Sequence, residues 1–197
     1  MQYILPEEAK TVEMTNFMKS MDKYGLSQYY DMDKLVNELA SSPMERDEET
    51  GQAFAGALLC HINLALSMSQ RYAQMVSKTF PTDDNTIAKA CLIMHLSRRY
   101  YYVPNENDWE VRQRGLLYRF STLTEGVLKT GERSAMEAMN NGIKLTATEF
   151  EMIKALDRDV LPGSNDKLSI MTTIIRQANE MAFRIARERH NQRKNQK

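Results

Sequence analysis

The chain has 197 residues, of which 42% are hydrophobic, and this is enough apolar material for one substantial core in a single domain. Its 26 lysines and arginines are balanced by 26 aspartates and glutamates, so no overall positive charge points to a nucleic-acid polymer as the partner. No apolar run reaches the roughly 18 to 20 residues of a membrane span, and "MQYILPEEAK" lacks the pattern of a signal peptide, so we predict a cytoplasmic protein with no membrane partner.

The first elements in chain order are an N-terminal helical extension, predicted for residues 1–34, and a long amphipathic helix from Gln52 to Lys78. In the long helix the apolar residues recur at spacings of three and four, which is the period of one buried helix face. The residues predicted to point inward are Phe54, Leu58, Ile62, Ala65, Met68, Tyr72 and Met75.

A break and a second helix follow the long one. Pro81 in "FPTDDNT" ends the long helix, and Thr82 to Asp84 supply cap oxygens for a helix from Asn85 to about Tyr101. Pro104 ends this second helix. The less regular stretch after it, "VPNENDWEVRQRG", is predicted to form a loop over a pocket.

The C-terminal part of the chain predicts three more helices. "GERSAMEAMNNG" reads as a short helix closed by Gly142, and "TATE" is a capping box that opens the next one. After the loop "LPGSND", the last helix is predicted from Lys167 to about Arg189, followed by a basic disordered tail at 190–197. Because strand-like alternation is absent, we predict an all-α fold, a single-domain helical bundle over residues 35–189.

Common enzyme signatures are missing, and two histidines are the main chemical candidates. The sequence has no Gly-rich phosphate loop, HExxH, CxxC or nucleophile elbow. His61 and His95 lie near the inward faces of two helices that a turn brings together, so they could share a metal or a substrate. The alternative is that they are core residues whose hydrogen bonds are made within the protein. A zinc site with Cys60 and Cys91 is awkward because adjacent helical residues point about 100° apart, and both cysteines are predicted to be buried thiols.

Four segments, in their order and spacing, resemble the HD-domain phosphohydrolases, the metal-dependent phosphohydrolase superfamily, and in particular a small bacterial and phage-type branch. They are "GALLCHI" (56–62), "CLIMHLSRR" (91–99), "GERS" (131–134) and "RQANEMA" (176–182). The similarity extends over about residues 35 to 182. It implies an HD-like helical bundle for 35–189.

The resemblance also implies that most metal ligands are lost. The first histidine of the family corresponds to His61, the His-Asp pair to Met94 and His95, and the late aspartate to Asn179. Shifting the register by one restores a histidine at His95 but places Leu96 where the aspartate belongs. Since hard divalent cations need carboxylates, we expect no metal, no cofactor, no catalytic residues and no metal-dependent hydrolysis.

The positions that face phosphate in the family keep basic side chains. Arg98 or Arg99 stands where the family has a lysine, and Arg133 and Ser134 belong to "GERS", which matches the Gly-Glu-Lys-Ser element of the family. Tyrosines and a tryptophan lie between these two elements, and an aromatic face beside a fixed cation could hold a nucleobase. The predicted ligand-binding residues are His61, His95, Arg98, Arg99, Tyr101, Trp109, Arg133, Ser134 and Asn179. The alternative is that the arginines form ordinary ion pairs and the tyrosines cap the core.

Three functions from different classes follow from these features. The first is an inactive HD-like protein that sequesters a phosphorylated nucleotide or a cyclic nucleotide, which in a virus would act as a sponge for a nucleotide immune signal. The second is a protein–protein interaction module, since 14 methionines suit adaptable contacts. The third is a residual phosphohydrolase that uses His61 and His95 as general acid and base. The long apolar helix faces permit a homo-oligomer.

Overall fold

The computed structural model describes residues 3–122, 128–155 and 169–195, and within these ranges it contains eight α-helices and one two-stranded sheet. The all-α prediction is confirmed. The helices are α1 (Glu7–Lys23), α2 (Met32–Ser41), α3 (Ala57–Val76), α4 (Asp84–Ile93), α5 (Asp108–Arg114), α6 (Thr130–Asn140), α7 (Ala147–Lys154) and α8 (Ile170–Asn195); the strands are β1 (Tyr102–Pro104) and β2 (Tyr118–Phe120). Among the described residues, none of these helices is both long enough and apolar enough to cross a membrane.

Helix α3 lies at the centre of the molecule and contacts α1, α2, α4 and α8. Its Leu58 and Ile62 are fully buried, as the helical period predicted. Phe17 and Met21 of α1 belong to the same hydrophobic core. The segment 1–34, predicted as an extension, therefore shares the central core, and its predicted boundary falls inside α2.

Helix α3 is shorter than predicted. It begins at Ala57, because Gly56 before it adopts a left-handed conformation with φ of 88°. Met75 was predicted to face the core but is 74% exposed. On the last turn Ala73 is buried and Val76 packs against the core, so the inward face there is formed by residues other than Met75.

The second predicted helix is interrupted at His95. Helix α4 begins as predicted, with the Asp83 side chain accepting a hydrogen bond from the amide of Asn85 at 3.0 Å. It ends at Ile93, and a 3-10 helix then runs over Leu96–Tyr100. The amide of Ser97 donates to Ser134 Oγ at 3.0 Å instead of continuing the α-helical ladder, and this contact with α6 explains the break.

The stretch predicted as an irregular loop contains regular structure. Strands β1 and β2 pair in antiparallel orientation, with Tyr102 opposite Phe120, and α5 lies between them with its N-terminus capped by Asn107. These two short strands were not predicted. Three residues are too few to show a period-two pattern in the sequence.

The C-terminal predictions are partly confirmed. Gly142 follows α6 with φ of 90°, and Thr146 and Glu149 form the predicted capping box at the start of α7. Helix α8, however, continues through Asn195, so a disordered tail is wrong for residues 190–195. His190 is only 8% exposed, and its contact with the Gly51 region holds this end of the helix. The predicted "LPGSND" loop lies outside the described residues.

Candidate functional site

The structure brings three of the predicted site residues together in one buried cluster. The side-chain oxygen of Asn179 on α8 lies 2.7 Å from Nε2 of His61 and 2.8 Å from Nε2 of His95. The two imidazoles are 3% and 2% exposed, and the His61 ring packs against Phe183 with the ring centroids 4.4 Å apart. We call His61, His95 and Asn179 the histidine cluster. It ties α3, the end of α4 and α8 to one another.

Both histidines of the cluster are neutral near pH 7. Burial lowers the pKa of His61 to about 4, and burial lowers the pKa of His95 well below its ordinary value. A neutral imidazole carries one N–H, and with that proton on Nε2 each ring donates to the Asn179 oxygen. The Gln52 carboxamide oxygen lies 3.1 Å from Nδ1 of His61, and oxygen cannot donate to an unprotonated Nδ1. Turning this carboxamide over places its NH2 group against the ring, so that Nδ1 accepts.

The cluster is poorly suited to holding a divalent cation. It supplies two imidazoles and a neutral carboxamide, whereas hard cations require carboxylate charge. Met94, assigned by the resemblance to the metal-binding pair, is fully buried in the hydrophobic core. In the part of the chain that the structure describes, no group of three or more His, Cys, Asp or Glu side chains is arranged to hold a metal.

Arg98 forms a buried contact with the loop before α3. Its Nε donates to the Met44 carbonyl at 2.8 Å, and its guanidinium donates to Glu45 at 2.5 Å. The side chain is 16% exposed. Arg98 is therefore held by an intramolecular ion pair.

Arg99 is held more strongly by two glutamates. It donates to both carboxylate oxygens of Glu137 at 2.6 and 3.0 Å, and its Nε donates to Glu38 at 2.7 Å. The guanidinium also lies 4.2 Å from the ring centroid of Tyr100. Its side chain is 6% exposed, so a ligand could reach only the edge of this network.

A cleft of about 710 Å³ opens beside this network, and we call it the arginine cleft. It contains three of the predicted residues. Arg99 and Tyr101 come from the 3-10 helix and its C-terminal cap, and Arg133 comes from α6. The other lining residues are Tyr30, Asp31, Lys34, Leu35, Glu38, Ser97, Tyr100, Leu128, Met136, Glu137, Asn140 and Asn141. Nε of Arg133 donates to the Leu128 carbonyl at 2.9 Å, which fixes this side chain at the cleft wall.

The charges of the arginine cleft are mixed. Lys34, Arg99 and Arg133 supply three positive charges, and Asp31, Glu38 and Glu137 supply three negative ones. Two of the carboxylates are already paired with Arg99. Lys34 and Arg133 line the cleft as well, and Asp31 is its third carboxylate.

Two predicted residues lie elsewhere. Ser134 is fully buried, and its hydroxyl accepts from the Ser97 amide and donates to the Ser97 hydroxyl, both at 3.0 Å, so it joins α6 to the 3-10 helix. Trp109 is 63% exposed on α5 and is not among the lining residues of the arginine cleft.

Several residues of these sites were missed by sequence reasoning. Tyr30 and Lys34 fall in the segment predicted as an extension, and Asn140 and Asn141 were read only as the end of a helix. Gln52 was assigned to a helix but lies in a loop against His61. The residues of the cleft come from distant parts of the sequence, so no local pattern reports their contacts. Gln52 and His61 are only nine residues apart, but they lie on either side of the start of α3, where the helical period does not apply.

Comparison with known proteins gives no match to any protein-family model, curated protein or solved structure. The similarity to HD-domain phosphohydrolases therefore rests on the sequence motifs alone.

Proposed function

We propose that this protein is an HD-like protein that binds a phosphorylated nucleotide, or a cyclic nucleotide, in the arginine cleft without cleaving it. The observation that carries the proposal is the composition of the cleft: three cations, three carboxylates, three tyrosines and two carboxamides line about 710 Å³. Ligand pockets for small molecules occupy roughly 300 to 1,000 Å³. A mononucleotide or dinucleotide fits this range.

The mixed charge of the cleft favours a nucleotide over a bare phosphate. Arg133 and Lys34 can donate hydrogen bonds to phosphate oxygens, and the planar guanidinium of Arg133 is suited to two parallel hydrogen bonds. Tyr100 and Tyr101 offer ring faces for a base. Sugar hydroxyls and base amino groups are donors, so they suit carboxylates and the oxygens of Asn140 and Asn141.

Binding without hydrolysis is supported by the histidine cluster. The Nε2 atoms of His61 and His95 are already engaged by Asn179, and both rings are buried. A general acid or base must reach the proton that it transfers. The residual phosphohydrolase would need these rings to leave their present hydrogen bonds.

A thermal-shift panel of nucleotides and cyclic nucleotides tests the proposal. A ligand at 100 times its Kd stabilises the folded state by about 2.7 kcal/mol, so one member of the panel is expected to raise the Tm by several degrees. Arg133→Gln is expected to reduce this response strongly. Arg112→Gln, which removes the same charge from an exposed arginine on α5, should leave it intact. A flat response across the panel, or an equal response in both variants, would refute the proposal.

A further inference from the structure

A second pocket, of about 440 Å³, lies between α1, α3 and α8 and shares no lining residue with the arginine cleft. Gln52 and His61 line it on one side, and Arg189 and Arg193 of α8 line it on another. We call it the α8 pocket.

The α8 pocket carries an excess of positive charge. Arg189 and Arg193 are four residues apart, so they lie on the same face of α8. The Arg193 guanidinium lies 3.9 Å from the ring centroid of Tyr3, an arrangement that leaves the N–H groups at its edge available. Glu13 is the only carboxylate among the described lining residues, and it accepts a hydrogen bond from Asn63 at 2.7 Å.

The pocket also contains buried polar atoms that lack partners. Gln52 is 2% exposed, and one end of its carboxamide faces His61 while the other end has no hydrogen bond to any described residue. The side-chain oxygen of Asn63 is likewise without a partner in the described ranges. Because a buried polar group without a hydrogen bond costs free energy, both carboxamides favour a bound molecule with donors and acceptors.

Cys60 lines the α8 pocket together with Arg189 and Arg193. Burial raises the pKa of the Cys60 thiol to about 12, Glu13 adds to this, and Arg189 and Arg193 act in the opposite direction. Cys60 is partly exposed and lines the pocket, whereas Cys91 is fully buried in the core. Cys60 is therefore a reporter inside the α8 pocket.

We propose that the α8 pocket binds a small molecule in which one oxyanion group, a phosphate or a carboxylate, is joined to a planar group with hydrogen-bond donors and acceptors. The oxyanion contacts Arg189 and Arg193, and the planar group reaches Gln52 and Asn63. This site is separate from the proposed nucleotide site in the arginine cleft, and it does not depend on that proposal.

Alkylation of Cys60 in the full chain measures occupancy of this pocket directly. The rate of reaction with iodoacetamide is followed by peptide mass spectrometry at an alkaline pH of about 9, because only the thiolate reacts and burial raises the pKa of both Cys60 and Cys91 to about 12. Cys91 is the reference for global unfolding, and because the two thiols have similar pKa values, the ratio of their rates reports access to the pocket. The probes are orthophosphate, the four ribonucleoside monophosphates and orotate, each against chloride at equal ionic strength. A ligand at ten times its Kd leaves about a tenth of the pockets empty, so the reaction should slow about tenfold.

The probes separate the two sources of the oxyanion. Protection by a nucleoside monophosphate identifies a phosphate ligand, and protection by orotate identifies a carboxylate ligand. In either case weaker protection is expected from orthophosphate, which lacks the planar group.

Matched variants locate the effect. Arg189→Gln is expected to abolish protection, whereas Arg187→Gln, on a different face of α8, and Arg133→Gln, in the arginine cleft, should retain it. If Arg189→Gln folds poorly by circular dichroism, Arg189→Lys, which keeps the charge but loses the planar fork, should weaken protection without abolishing it.

Three outcomes would overturn the proposal. The first is no protection of Cys60 by any probe, which would leave water as the partner of the carboxamides. The second is equal protection in wild type and Arg189→Gln. The third is a Cys60 that reacts no faster than Cys91, which would mean that the pocket is closed to solutes. A failure of the nucleotide proposal would appear instead as a Tm response that is insensitive to Arg133→Gln.

Discussion

At the scale of single residues, the histidine cluster is a neutral hydrogen-bonded network. Asn179 accepts from two imidazoles that burial keeps uncharged. An aspartate there would instead raise the pKa of both rings and supply a hard ligand for a metal. The cluster thus contributes to folding in its neutral form, and this has a measurable pH dependence.

The stability of the protein is expected to fall as the pH drops below 6.5. The pKa of His61 is about 4 in the folded chain and 6.5 in the unfolded chain, and that of His95 is also lowered by burial. The unfolded state therefore binds more protons in this window, and each histidine lowers the free energy of unfolding by up to about 1.4 kcal/mol per pH unit. The contribution of His61 is complete near pH 4.

Urea unfolding at pH values from about 7 down to about 5 checks this slope, above the range in which carboxylates titrate. The pKa of His190 is also lowered by burial and adds in the same direction, so the comparison with His61→Gln isolates the contribution of His61. The variant should show a shallower slope. A stability independent of pH across this window would contradict the neutral cluster.

Arg99 is expected to be a major determinant of stability. Its side chain is 6% exposed, and Arg99→Ala leaves Glu38 and Glu137 without their partner. Losing one side of a buried charge network costs roughly 3 kcal/mol, whereas an exposed pair contributes less than about 1 kcal/mol. Arg184→Ala is the matched control, because Arg184 pairs with Glu180 four residues away on the exposed face of α8. Equal losses in urea unfolding would show that the Arg99 network is no tighter than a surface ion pair.

At the scale of elements, the end of α8 is held by a loop that approaches it closely. Gly51 has φ of 71°, and a Cβ added there would lie 2.6 Å from Cβ of His190 and 3.0 Å from the Ala186 carbonyl. This contact keeps α8 regular through Asn195 and positions Gln52 against His61. The α8 pocket and the histidine cluster therefore depend on the same loop.

Gly51→Ala is expected to destabilise the protein for two reasons: the left-handed backbone conformation disfavours alanine, and the added Cβ would clash with His190. Gly25 also has a positive φ, 68°, but a Cβ there would meet nothing within 4 Å. Gly25→Ala therefore measures the backbone cost alone, about 1 kcal/mol. Gly51→Ala should cost clearly more in urea unfolding and should expose amides near His190 to faster hydrogen exchange. If both variants lose the same free energy of unfolding, the close approach of Gly51 to His190 does not affect stability.

At the scale of the whole molecule, the sequence predicted the helical class and most inward faces because these follow from local periodicity and capping. The capping box at Thr146 and the cap at Asp83 are examples. The break at His95 was missed because it depends on Ser134, which is 37 residues away from Ser97. The continuation of α8 was missed for the same reason, since the contact of His190 with Gly51 is not local.

The candidate sites were only partly predictable. The sequence identified His61, His95 and Asn179, which meet, and Arg99, Tyr101 and Arg133, which line one cleft. It did not separate these two groups in space. The alternative that the arginines form ion pairs is confirmed for Arg98 and Arg99, but the sequence did not identify the glutamates that pair with them. Glu137 is one of many acidic residues in the chain, and only the folded structure shows that it pairs with Arg99.

We propose that the protein retains a phosphorylated nucleotide and does not cleave it. The most direct test is to incubate the purified chain with the nucleotide panel, remove free ligand by gel filtration, denature the protein by heat and identify the released molecules by chromatography. We predict that one nucleotide is recovered intact in near-equimolar amount from wild type and Arg112→Gln, and is lost from Arg133→Gln. Recovery of a hydrolysed product, or of no nucleotide from wild type, would contradict the claim.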